Sequence, residues 1–265
     1  MKLAVSNIAW SAEDDARVYA LMRECGFSGL EIAPTRIFPA EPYSDLDRAR
    51  AWAESLKRDE GFTVPSMQSI WFGKTEKLFG AEAERAALCE YTQKAIDFAA
   101  AVGCNNLVFG CPKNRSRPED APEDAALEFF KTVGDYAARR GTCVALEPNP
   151  TIYGTNYINT TAEALALIKR VASPGLRLNL DMGTIIANGE DIAPIVAECE
   201  HINHVHISEP GLKPVAPRDE HRALLSCLSA AGYRGWVSIE MGRQDGLAPL
   251  ENAMRYLAAL CGGLQ

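Results

Sequence analysis

Eight short runs of apolar and β-branched residues alternate with longer stretches of helical periodicity along the whole chain, and this alternation constrains the fold most strongly. The strand-like runs are residues 3–7, 29–32, 63–68, 106–109, 144–147, 176–181, 202–207 and 236–240. The periodicity between them predicts helices that start at an N-cap, Ser11, with an acidic first turn of Glu13, Asp14 and Asp15. Further helices are predicted over about 44–60, 81–102, 121–140, 161–171, 191–200, 219–231 and 247–260. Gly26, Gly103 and Gly141 stand where three of these segments should stop. Parallel strands joined by helices are buried on both faces, and eight of them close into a barrel. The expected fold is therefore α/β, a (β/α)₈ barrel forming one domain over 1–265, with no Gly/Ser-rich linker to divide it. An open doubly wound sheet would show a phosphate-binding glycine fingerprint after its first strand. Here that strand runs into Asn7-Ile8-Ala9-Trp10.

Charge and composition narrow the partners. A net charge of −8 disfavours nucleic acid and anionic membrane surfaces. No stretch of about 18 consecutive apolar residues is present to span a bilayer. The N-terminus enters a strand without a signal-peptide profile, so the expected location is the cytoplasm. The eight cysteines are scattered singly with no C-x-x-C pair, which argues against a zinc or disulfide framework and for reduced thiols acting as small hydrophobes.

In such barrels the active site lies at the C-terminal ends of the strands. The fifth to eighth runs end in Glu147, Asp181, His206 and Glu240, which brings three carboxylates and an imidazole to one mouth. Clustered carboxylates repel one another unless a cation sits among them, so one divalent metal ion is expected. Three oxygens and one nitrogen without thiolate suit Mn²⁺ first, with Mg²⁺, Co²⁺ and Zn²⁺ also within range.

The strand ends Ala145-Leu146-Glu147-Pro148-Asn149, Asn179-Leu180-Asp181-Met182-Gly183, His204-Val205-His206-Ile207 and Ser238-Ile239-Glu240-Met241 resemble the xylose isomerase-like barrel superfamily. Within it, the chain is most similar to the sugar phosphate isomerase/epimerase group that includes the ketose 3-epimerases. The resemblance implies that Glu147, Asp181, His206 and Glu240 are metal ligands, and that Glu147 and Glu240 are also the acid/base pair. A metal chelating a carbonyl and its neighbouring hydroxyl acidifies the adjacent C–H. One carboxylate then removes the proton to give a cis-enediolate, and the other returns one from the opposite face. The sequence departs from the ketose epimerases at Thr184, where they carry histidine, and at Leu212, where they carry arginine. Lys213 and Arg218 are candidates to replace that arginine, while Glu209 matches an acidic family position.

Other strand mouths supply candidate substrate contacts: Glu31, Gln68, Lys113 (in Lys113-Asn114-Arg115), Asn149, Glu209 and Lys213. Residues 149–156 would overhang the site as a lid, and Trp10, Phe38, Trp71 and Phe72 would either wall a sugar face or pack. His204 reads as a supporting or core residue one layer below His206, His221 as a surface residue at a helix start, and His201 as structural. The expected substrate is a small keto sugar or sugar phosphate, with a homo-oligomer as a further possibility because barrels of this group often form dimers or tetramers. Three rivals stand beside the isomerase reading. One is a metal-dependent dehydratase of a keto sugar or inosose, and another is a non-catalytic sugar-binding barrel. The superfamily's DNA-repair endonuclease is disfavoured by the acidic charge and by the presence of only four histidines.

Overall fold

The computed structural model describes residues 1–263. Strands β1 (Lys2–Ser6), β2 (Gly29–Glu31), β3 (Leu107–Phe109), β4 (Val144–Leu146), β5 (Leu176–Asp181), β6 (Ile202–Ser208) and β7 (Trp236–Glu240) form a parallel sheet in the order β2-β1-β7-β6-β5-β4-β3. Residues 63–67 join its two edges through bridges Gly29↔Thr63, Ile32↔Met67 and Met67↔Leu107, so the barrel closes. The third of the eight expected strands, 63–68, is an extended connector with isolated bridges. Pro65 lies in its middle and has no N–H to donate, so pairing survives only on either side of it.

The helices are α1 (Asp15–Glu24), α2 (Pro34–Ile37), α3 (Leu46–Ser55), α4 (Glu82–Ala101), α5 (Asp124–Arg139), α6 (Thr161–Val171), α7 (Met182–Asn188), α8 (Ile192–Val196), α9 (Asp219–Ala230) and α10 (Ala248–Gly262). Thr160 and Glu163 cap α6 reciprocally, and the Asp45 carboxylate caps α3 by accepting from Arg48 N. Ser11 does not cap: a 3₁₀ turn, Ala12–Asp14, intervenes before α1. The helix expected at 191–200 shrinks to α8. Among the described residues, no helix is long and apolar enough to cross a membrane. All eight cysteines are unpaired.

Alternation along the strands sorts residues between two environments. In β6, apolar Val205 and Ile207 alternate with His204, His206 and Ser208; in β7, Val237 and Ile239 alternate with Ser238 and Glu240. All nine of these side chains are buried. The apolar set belongs to the main core, whereas the polar set faces a hydrogen-bonded interior. There Asn106 Nδ2 donates to Ser66 Oγ at 3.0 Å, and Gln68 Nε2 donates to Ser6 Oγ at 2.7 Å and to Glu31 Oε1 at 3.0 Å. These bonds tie β1, β2 and the residues leading into β3 together beneath the strand ends.

Candidate active site

Glu147 follows β4, Asp181 ends β5, His206 lies in β6 and Glu240 ends β7. One ligand-type atom from each of the four lies within 4.8 Å of the others, and all four residues are buried. His206 Nδ1 is 3.0 Å from Glu147 Oε1 and 3.3 Å from Glu240 Oε2. Asn179 Nδ2 donates to Glu147 Oε1 at 2.8 Å. The fully buried Arg115 donates to the Glu147 carbonyl oxygen at 2.8 Å and to that of Ile158 at 3.0 Å, which pins the backbone carrying Glu147. Asp181 doubles as the N-cap of α7, its Oδ2 accepting from Thr184 N at 2.8 Å with Thr184 Oγ1 at 2.7 Å. Ser208 Oγ hydrogen-bonds the other oxygen, Oδ1. Asp181 is therefore aimed by its own helix start, and Thr184 serves as that support instead of facing substrate.

Glu31, expected to touch substrate, is fully buried beneath the site. Its Oε2 lies 2.9 Å from His206 Nε2 and 3.0 Å from His204 Nε2. A carboxylate at Nε2 orients the ring and turns Nδ1 toward Glu147 and Glu240. Burial alone would raise the Glu31 pKa, but the two imidazoles hold it well below the usual carboxylate range. Burial likewise disfavours the His206 imidazolium, yet the Glu31 and Glu240 carboxylates and hydrogen bonding to Glu147 push its pKa well above the ordinary histidine value. His204 is lowered, chiefly by burial. Asp181 is raised by burial and then by the Glu147 carboxylate. Burial pushes Glu240 up to about 7, with His206 opposing and Glu147 and Asp181 adding to the rise. This mutual repulsion is what a bound cation would relieve, and a donor set of carboxylates plus imidazole fits a divalent ion.

A cavity of about 190 Å³ opens above these groups, lined by Gln68, Asn149, Tyr153, Glu147, Asp181 and Glu240 among others. Gln68 and Asn149 thus stand where the sequence led us to expect substrate contacts. Lys113 and Lys213 do not line the cavity: both project from exposed loop positions, whose direction no periodicity encodes. Arg218 forks onto the buried Glu209 with both bonds at 2.7 Å, so it is not free to replace the family arginine, and Arg115 is held by backbone carbonyls. Trp10, Phe38 and Trp71 pack in the core, and Phe72 is exposed. His221, expected at the surface, is buried with Nδ1 3.3 Å from the Tyr256 hydroxyl.

Tyr153 belongs to the segment 149–156 expected to overhang the site, whereas the roles of Asn179, Ser208 and Gly110 were not expected. Asn179 and Ser208 each lie two residues from a strand-end ligand candidate, so strand alternation could have flagged them. Gly110 and Tyr153 lie in loops. A Cβ on Gly110 would sit 2.9 Å from Glu147 Oε2 and 3.3 Å from Asn149 Oδ1. Gly110→Ala should therefore displace the Glu147 carboxylate, and a misplacement of about 1 Å costs on the order of 100-fold in rate. The expected outcome is that loss in steady-state kinetics with little change in the melting temperature. Unchanged kinetics would show that Glu147 need not hold this position.

The xylose isomerase-like TIM barrel model matches residues 19–260. The chain is 28% identical over 259 residues to a putative hydroxypyruvate isomerase of Homo sapiens, covering 89% of this chain and 87% of that one. It is 26% identical over 264 residues to a ketose 3-epimerase of Arthrobacter globiformis, covering 94% and 86%. Among solved structures, a D-psicose 3-epimerase determined in the presence of D-fructose superposes with a TM-score of 0.80 at 17% identity, covering 100% of this chain and 99% of that one. At that identity the superposition speaks for the fold alone. With the family model spanning nearly the whole chain, this protein belongs to the xylose isomerase-like TIM barrel family.

Proposed function

We propose that the chain is a divalent-metal-dependent isomerase or epimerase of a small keto sugar, with Glu147 and Glu240 as its acid/base pair. The observation that carries this reading is the convergence of Glu147, Asp181, His206 and Glu240 at the barrel mouth. A divalent ion held by these four would polarise a substrate carbonyl and its neighbouring hydroxyl and so acidify the adjacent C–H. Glu147 and Glu240 extend from β4 and β7, on either side of β5 and β6, so one can remove the proton and the other can return one to the opposite face. Return at the same carbon is epimerisation; return at its neighbour is aldose–ketose isomerisation. Gln68, Asn149 and Tyr153 supply hydrogen-bonding groups suited to hydroxyls. The cavity of about 190 Å³ is smaller than the roughly 300–1,000 Å³ that buries drug-sized ligands, which favours a single sugar over a nucleotide-linked one. The isomerase and epimerase names of the relatives support the same reading.

The test is metal stoichiometry coupled to activity. Chelator-treated protein should take up one Mn²⁺ per chain in calorimetric titration and lose turnover of ketoses without it; full turnover by the metal-free protein would contradict the proposal.

The titration also carries a pH prediction. His206 is raised well above its ordinary value and Glu240 to about 7, so both shifts favour the protonated forms in the metal-free protein and leave Glu240 partly protonated at neutral pH. A metal ligand must give its proton up. Metal affinity should then fall as the pH drops through this range and rise above it. Uptake near neutral pH should release protons. Titration in buffers of different ionisation enthalpy reads this directly, and heats independent of buffer would contradict it.

A further inference from the structure

We infer that the substrate of this site is uncharged and presents hydroxyl donors around its reacting carbonyl, which excludes a 2-keto acid or a sugar phosphate. The inference rests on the proposed function above and names its substrate class. It runs against the hydroxypyruvate isomerase name carried by one relative, because hydroxypyruvate bears a carboxylate next to its carbonyl.

The residues lining the cavity include three carboxylates and no lysine, arginine or histidine. Three carboxylates against one divalent ion leave this region without net positive charge, and a walled cleft of one sign focuses its field on whatever enters. The nearby guanidinium groups are already engaged. Arg115 donates to backbone carbonyls, and Arg218 forks onto Glu209 with both bonds at 2.7 Å. Lys113, Lys213 and Arg243 stand exposed outside the lining.

The hydrogen-bonding capacity of the cavity points the same way. Asn149 is buried at 8% exposure, and its Nδ2 donates to Glu147 Oε2 at 3.3 Å, which assigns the remaining atom, Oδ1, as an acceptor. Within the protein this Oδ1 has no hydrogen-bond partner. A buried acceptor left unpaired is costly, and a sugar hydroxyl satisfies it by donating. A carboxylate or phosphate group placed against it is acceptor-only and would set lone pair against lone pair, and an anion that met this atom through its hydroxyl would leave its charged group facing the carboxylate lining. Tyr153 complements it: its hydroxyl accepts from Gly211 N at 2.8 Å, leaving its own proton to donate to a sugar oxygen.

The test is ligand binding to the Mn²⁺-loaded protein, read by calorimetry apart from turnover. The probes are a series of unphosphorylated ketoses from four to six carbons, hydroxypyruvate, and D-fructose 6-phosphate. At least one uncharged ketose should bind about 10-fold or more tighter than both anions, and Asn149→Leu at saturating Mn²⁺ should weaken that ketose by a larger factor than either anion. Preferential binding of hydroxypyruvate or the phosphate ester overturns the inference, as does failure of every uncharged ketose to bind. Hydrogen exchange on the same ligands separates the two claims. Ketoses that bind without exchanging hydrogen leave this inference standing and remove the isomerase reading. Preferential exchange of hydroxypyruvate does the reverse.

Discussion

Glu240→Gln is expected to lower substrate hydrogen exchange by about 10²–10⁴-fold, the range in which a positioned acid or base contributes. Glutamine keeps the shape of the buried side chain but cannot take a proton at neutral pH. Glu147→Gln should do the same. The pair tests more than either variant alone. If the two carboxylates act as one device, removing the second after the first costs little, and the double variant should be no slower than the poorer single one. Multiplying losses would instead mean two independent roles. Both residues are also proposed metal ligands, so rates should be compared at saturating Mn²⁺ with circular dichroism to confirm the fold.

The second large effect is expected at Glu31, which lies below the cavity. Glu31→Gln should weaken Mn²⁺ binding by about 10–100-fold, the usual cost of losing the group that orients a metal-bound histidine. Glu31 Oε2 holds His206 Nε2 at 2.9 Å while Oε1 accepts from Gln68 at 3.0 Å. An amide keeps one acceptor and loses the charge that fixes which ring nitrogen carries the proton. The ¹⁵N spectrum of His206 offers a readout that packing alone would not move: the variant should show an altered protonation pattern. Unchanged metal affinity with an unchanged spectrum would reduce Glu31 to a packing residue.

The contrast between Glu31 and Glu147 shows what the sequence could convey. Glu31 ends β2 and Glu147 follows β4, and both were expected at strand mouths. Depth is another matter. Glu31 lies beside His204 and His206, whereas Glu147 reaches the cavity one step past its strand. How far each run extends before its loop decides this, and that depends on pairing register, which single runs do not encode. The four-residue cluster was legible because it needs only strand order and strand ends. Lys113 and Lys213 stand outside the cavity lining, and loop side chains carry no periodicity from which their direction could be read. His221 was misread because the start of a helix says nothing of which face packs inward; here that face meets Tyr256 of α10. The third expected strand, 63–68, is reduced to bridges because Pro65, visible in the sequence, has no N–H to donate.

The central claim is that this site moves a proton on a carbon next to a carbonyl. Its most direct test is hydrogen exchange into the uncharged ketose series in D₂O, with metal-free protein, Mn²⁺-loaded protein and Mn²⁺-loaded Glu240→Gln in parallel. The account predicts deuterium at a carbon adjacent to the carbonyl only with the loaded native chain, and a product that has lost no water. Exchange by the metal-free protein, exchange undiminished in the variant, or a product lighter by one water would contradict it.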